Sequence, residues 1–225
     1  MKTSYLSHVD PGAIEIPLAD TKIEGFLRIP SAAYGVVIFA HGSGSSRFSY
    51  RNRFVADDLF QANMGTLLFD LLTEDEEEQD RLTGAVRFNI AFLARRLGEV
   101  TDWLMDKLNS EKIHIPIGYF GASTGAAAAI EAAVRREDAV KAIVSRGGRP
   151  DLAALALPRL NTPTLLIVGG CDKDVLRLNR QASRLIPAPV KIHIVPGATH
   201  LFEEPGALEE VARTAAGWFK QYLKS

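Results

Sequence analysis

Ile115-Pro116-Ile117-Gly118-Tyr119-Phe120 runs straight into Gly121-Ala122-Ser123-Thr124-Gly125, and an alanine-rich stretch over 126–136 follows at once. An apolar run, a tight turn of small residues and a helix-forming segment are the setting in which G-x-S-x-G reads as a strand–turn–helix elbow with a serine hydroxyl at its tip. The two glycines let the backbone turn sharply without a Cβ to clash. The plainer reading is that Ser123 only caps the helix behind it, a position that serine favours.

Working outward, 35–40 is a continuous apolar run, as expected of a strand buried on both faces. The pattern predicts further strands over 66–69, 113–120, 139–144, 164–168 and 190–195, and helices over 50–63, 85–107, 124–136, 174–185 and 208–223. Two alternating segments, 13–18 and 22–28, predict an antiparallel edge hairpin. The acidic run 74–78 reads as a solvated, mobile loop and the flank of a helix. Strands alternating with helices give the α/β class, a mainly parallel sheet of about eight strands covered on both faces, in one domain over 1–225.

Ligands in such sheets bind beyond the carboxyl ends of the strands, so the residues after each strand matter most. In order they are His41-Gly42-Ser43-Gly44-Ser45-Ser46-Arg47, Asp70, Ser123, Arg146-Gly147-Gly148-Arg149, Gly169-Gly170-Cys171-Asp172 and Gly197-Ala198-Thr199-His200. A serine, a carboxylate and a histidine thus reach one rim in the chain order Ser, Asp, His. Asp174 competes with Asp172 for the carboxylate position, because Asp172 is also placed to cap the next helix.

The HGSGSS loop, the GASTG elbow, the GGCDKDV segment and the GATHLF segment together resemble the α/β-hydrolase fold, and within it the dienelactone hydrolase-like branch. The branch's G-x-x-D-x-x-V pattern falls on Gly169, Asp172 and Val175. Where dienelactone hydrolases proper carry a cysteine nucleophile, this chain has Ser123. The resemblance implies a serine hydrolase acting on small soluble carboxylic esters or lactones. Ser123 would attack the carbonyl, His200 would carry the proton, and Asp172 would hold the imidazole. The oxyanion would take the backbone N–H of Thr124 and one from Ser43, with Gly42 in reserve. The same triad would serve small-peptide or amide hydrolysis, and the fold also serves non-catalytic binding proteins.

Gly42, Arg146 and Arg149 are candidate substrate-binding residues. The arginines offer forks for a carboxylate or phosphate, although Asp151 stands close enough in sequence to Arg149 to hold it as a brace. Arg47, Arg51 and Arg53 read as mostly surface. The 144–164 connection is too short for a helical lid, so an open site is expected.

The 225 residues carry a net charge of −1 and a single cysteine, Cys171. A near-neutral chain with no basic stripe gives no reason to expect nucleic acid as a partner. No apolar run approaches a membrane span, and residues 1–17 show no h-region of a secretory signal, so a cytoplasmic protein is expected. One cysteine excludes a disulfide framework or a cysteine-built zinc site within one chain. No metal and no cofactor are expected. A small ester or lactone is the expected partner, and the sequence leaves a homodimer open.

Overall fold

Every residue of Val36–Ala40, Gly65–Phe69 and Ile117–Ala122 is buried, as uninterrupted apolar strands between two helical layers require. A computed structural model describes residues 13–224. Ser225 and residues 1–12, which contain most of the stretch read for a secretory signal, lie outside the described residues.

The strands are β1 (Ala13–Pro17), β2 (Lys22–Arg28), β3 (Val36–Ala40), β4 (Gly65–Phe69), β5 (Ile117–Ala122), β6 (Val140–Arg146), β7 (Thr164–Gly169) and β8 (Val190–Val195). They form one eight-stranded sheet in the order β1-β2-β4-β3-β5-β6-β7-β8. The β1–β2 and β2–β4 pairs are antiparallel, and every other pair is parallel. The helices are α1 (Tyr50–Gln61), α2 (Glu74–Thr83), α3 (Ile90–Ser110), α4 (Thr124–Arg135), α5 (Lys173–Ser183) and α6 (Ala207–Leu223).

Two cores follow from the two faces. Helices α3, α4 and α5 bury Leu97, Ile130 and Ala182 with Ile38 and Tyr119 on one side. Helices α1 and α6 bury Leu59, Val211 and Phe219 with Phe39 and Phe120 on the other. The alanines of α4 are small for a reason. The helix starts one residue after the elbow and must lie close against the sheet, and a Cβ on Gly121 would overlap the backbone of Ala126. The β6–β7 connection folds into short 3₁₀ turns at Pro150–Ala153 and Leu157–Arg159, the first packed against α4 and α5, and forms no large lid.

The acidic run departs from the expectation of a mobile loop. It is helix α2, separate from α3, which begins at Ile90 and not at the 85 expected from the pattern. Thr73 and Glu76 close a capping box: the Glu76 N–H donates to Thr73 Oγ1 at 3.2 Å and the Thr73 N–H to Glu76 Oε2 at 2.8 Å. Four acidic residues in the first turn complement the positive end of the helix dipole. Buried Asp80 then accepts from the Val86 and Arg87 N–H groups and closes the turn into α3.

Candidate active site

The turn from β5 into α4 holds Ser123 at φ 51° and ψ −119°. A residue with a side chain rarely adopts this conformation, at a cost of about 1–3 kcal/mol, and it persists only where its surroundings over-determine it. Here they do. A Cβ on Gly125 would strike the carbonyl oxygens of Ala40 and His41, so α4 lies directly on the end of β3. The Ser123 N–H donates to the Arg146 carbonyl at 3.2 Å, and the Ser123 carbonyl accepts from the Arg149 N–H at 3.0 Å. The hydroxyl makes no capping bond to α4, contrary to the plainer reading of this serine.

His200 follows β8, and its Nδ1 lies 2.6 Å from Asp172 Oδ2. Asp172 occupies the N-cap position of α5 yet makes no side-chain cap; its carboxylate is turned to the histidine instead. Asp174 is almost wholly exposed and stands 3.9 Å from Arg177, away from this pair. Ser123 and His200 line one cavity of about 190 Å³, together with Ser45, Ser49, Arg51 and Arg146.

The loop after β3 forms one wall. His41 is buried, and the Leu71 N–H donates to its Nε2 at 2.9 Å. Its Nδ1 lies 2.9 Å from the Gly42 carbonyl. With Nε2 accepting, Nδ1 carries the proton, and the imidazole fixes the peptide that joins Gly42 to Ser43. Burial pushes the His41 pKa down and keeps the ring neutral. The Ser43 N–H donates to Thr124 Oγ1 at 3.0 Å, and the two hydroxyls are also 3.0 Å apart. Gly42 leaves little room for a side chain beside Ser123, since a Cβ there would stand a tight 3.1 Å from the serine Cβ. Beyond this loop a second cavity of about 230 Å³ is lined by Leu71, Leu72, Leu93, Glu77, Arg81 and Thr124. The acidic helix α2 therefore borders this second chamber.

The candidate arginines separate. Arg149 forms a two-pronged pair with Asp151 at 2.9 and 2.8 Å, and it is not among the residues that line the cavity of Ser123. Arg146 lines that cavity and is buried, and burial with the nearby Arg51 guanidinium lowers its pKa to about 10. Arg51, read from sequence as surface, is half-buried and lines the same wall. The available signal was its place at the start of the helix that follows the first rim loop. Arg47 is tied to Asp70 and Glu24, and Arg53 is exposed. Cys171 is exposed. Among the described residues no group of three or more His, Cys, Asp or Glu stands at metal-binding distance, and no helix is long and apolar enough to cross a membrane.

With this geometry in view, the family model of the dienelactone hydrolases matches residues 23–224. The chain belongs to the dienelactone hydrolase family. A dienelactone hydrolase from Anabaena variabilis superposes with a TM-score of 0.90 at 52% identity, covering 94% of this chain and 97% of that one. Est1E from Butyrivibrio proteoclasticus shares the fold at a TM-score of 0.75 and 16% identity, over 93% of this chain and 98% of its own. A Mycobacterium tuberculosis protein named "Putative phosphoribosyl transferase" is 51% identical over 210 residues, which are 93% of this chain and 46% of that protein. The chain thus spans about half the length of the curated relatives that it matches. As a dienelactone hydrolase family member it has the α/β-hydrolase fold expected from its motifs, with the antiparallel strands at one edge.

Proposed function

We propose that this chain is a serine hydrolase that cleaves small soluble carboxylic esters or lactones through an acyl-enzyme. The observation that carries the reading is the strained Ser123 sharing a cavity with His200, whose other side is held by Asp172 at 2.6 Å. Ser123 Oγ bonds to the carbonyl carbon while His200 Nε2 takes its proton. The tetrahedral intermediate collapses, the C–O bond to the leaving alcohol breaks, and His200 returns the proton to that oxygen. Water then repeats the sequence against the acyl-serine, releasing the carboxylic acid and the free serine. Asp172 keeps the proton on Nδ1 and stabilises the imidazolium as it forms.

The Thr124 N–H, at the first position of α4, and the Ser43 N–H are the proposed oxyanion donors. The present acceptor of the Ser43 N–H is the Thr124 hydroxyl oxygen, which a developing negative charge would have to outcompete. His41 fixes the same peptide from its carbonyl side. Each such donor contributes about 3 kcal/mol to the transition state.

The name of the mycobacterial relatives raises phosphoribosyl transfer. We assign hydrolysis to this segment because the hydrolase family match, 23–224, occupies nearly the whole chain, while the relatives extend well beyond it. Amide cleavage is the second reading that the triad permits, and parallel ester and anilide assays separate the two.

A fluorophosphonate probe tests the proposal. It is expected to label Ser123 and to leave Ser123→Ala unlabelled. Labelling that persists in Ser123→Ala, or no labelling of the wild type at pH 8, contradicts it and favours a binding role.

A further inference from the structure

Arg146 differs from Arg96, the other buried arginine of the described residues, in having no carboxylate. It is 7% exposed and forms no ion pair. Its one side-chain bond goes to Asn52 Oδ1, at a long 3.5 Å, and its Nε has no partner. Leaving a guanidinium in this state is unfavourable, because desolvation is not offset by an opposing charge. A second cation compounds the cost. Arg51 shares the cavity, its Nε is likewise buried without a partner, and its only ionic contact is an exposed Glu203 at 3.2 Å.

Other donors converge on the same space from different elements. Ser45 comes from the loop after β3, and Ser49 is the N-cap of α1. The Ser49 oxygen accepts the Asn52 N–H at 3.4 Å, which leaves its O–H to donate outward. The first turn of α1 contains no acidic residue to neutralise the positive end of the helix. The uncompensated charge therefore comes from two elements, β6 and α1, the loop after β3 adds a neutral donor, and all of them line the cavity of Ser123.

From this juxtaposition we infer that the Ser123 cavity receives a phosphate monoester group carried by the substrate, with Arg146 and Arg51 as its cationic walls and Ser45 and Ser49 as neutral donors. A planar monoanion matches one guanidinium fork. A tetrahedral dianion has the charge for two guanidinium groups, and oxygens left over for the hydroxyls and the helix end. The remaining substrate carries its scissile carbonyl to Ser123. The inference deepens the hydrolase reading and rests on it for the word substrate, but binding of the anion is measurable by itself.

Titration calorimetry with inorganic phosphate on the Ser123→Ala protein measures binding without turnover. Saturable binding is expected, weakened about thirtyfold or more by Arg146→Gln in the same background and less by Arg51→Gln. In the active enzyme, 2-acetoxyethyl phosphate is expected to exceed both 2-methoxyethyl acetate and 4-acetoxybutanoate in kcat/KM. Arg146→Gln should collapse the ratio of phosphorylated to neutral ester, Arg146→Lys should restore part of it, and Arg53→Gln, on the exposed side of α1, should leave it alone. Far-UV circular dichroism and the thermal midpoint report whether Arg146→Gln folds, and Arg51→Gln carries the test if it does not. Three results overturn the inference: no phosphate binding, binding indifferent to both arginines, or a preference for the carboxylate ester over the phosphorylated one. Arginine-dependent phosphate binding in a protein that neither turns over esters nor reacts with a fluorophosphonate would refute the hydrolase reading and uphold the anion site.

Discussion

Arg96 and Arg146 are both buried, 3% and 7% exposed, and they are used differently. Arg96, on α3, donates to both oxygens of Glu76 at 2.7 and 3.1 Å and lies over the Phe92 ring. The pair ties α2, which has almost no apolar surface, to α3, which has much. Arg146 is nearly as buried and also lies over a ring, that of Phe202, but has no anion. A cation that the fold neutralises internally is part of the architecture. One left unneutralised beside a strained serine is set up to meet its counter-charge from outside.

Variants in the two regions should therefore move different observables. The largest effect belongs to the catalytic side. Ser123→Ala or Asp172→Asn should reduce kcat/KM on a simple ester by about 10⁴-fold or more, with the urea midpoint of unfolding nearly unchanged. A parallel fall in stability would mean that the rim contributes to the fold as Arg96 does. Next, Arg96→Met should lower the unfolding free energy by about 3 kcal/mol, the small end of the range for breaking a buried pair because Glu76 keeps one side in water. Arg146→Met should cost nothing, or raise stability by about 1 kcal/mol, since it removes a charge without orphaning a charged partner, and Asn52 Oδ1 loses only a long 3.5 Å bond. Equal losses in the two methionine variants, measured by urea unfolding, would erase the distinction.

The smallest effect is in pH. Burial pushes the Glu76 carboxyl up, but its bonds to Arg96 and Thr73 outweigh this and hold it below its usual value of 4.5. The unfolded chain then takes up a proton that the folded one resists. The stability from this pair is complete above that value and is lost as the pH falls through the lower, folded-state pKa. Burial likewise lowers His41, so its share of the loss begins below the usual 6.5. Glu76→Gln should flatten the acid end of a stability–pH curve, and Arg146→Met should leave that end as it was. An acid limb unchanged in Glu76→Gln would contradict the assignment.

The sheet was legible because its central strands are unbroken apolar runs with the turn residues between them, and the rim followed from knowing what comes after each strand. Helix α2 was missed because Glu74–Thr83 buries only Asp80, so no apolar period marks it; the T-x-x-E box at Thr73 and Glu76 was the readable sign. Arg149 pairs with Asp151 two residues away, close enough to be weighed from sequence. The state of Arg146 was out of reach. Whether a guanidinium is buried, and whether any carboxylate arrives to meet it, depends on Asn52 and Arg51, which approach from a helix about ninety residues earlier in the chain. The bond from the Ser43 N–H to the Thr124 hydroxyl spans 81 residues and was hidden for the same reason.

Acid-quenched mass spectrometry of the enzyme mixed with 4-nitrophenyl acetate examines the acyl-enzyme itself. The account predicts an acetyl group on the peptide that contains Ser123, formed in the burst, absent from Ser123→Ala, and formed far more slowly when His200 is replaced by alanine. An acetyl group found instead on Cys171, Ser45 or Ser46, or turnover with no covalent adduct under any quench, would contradict it.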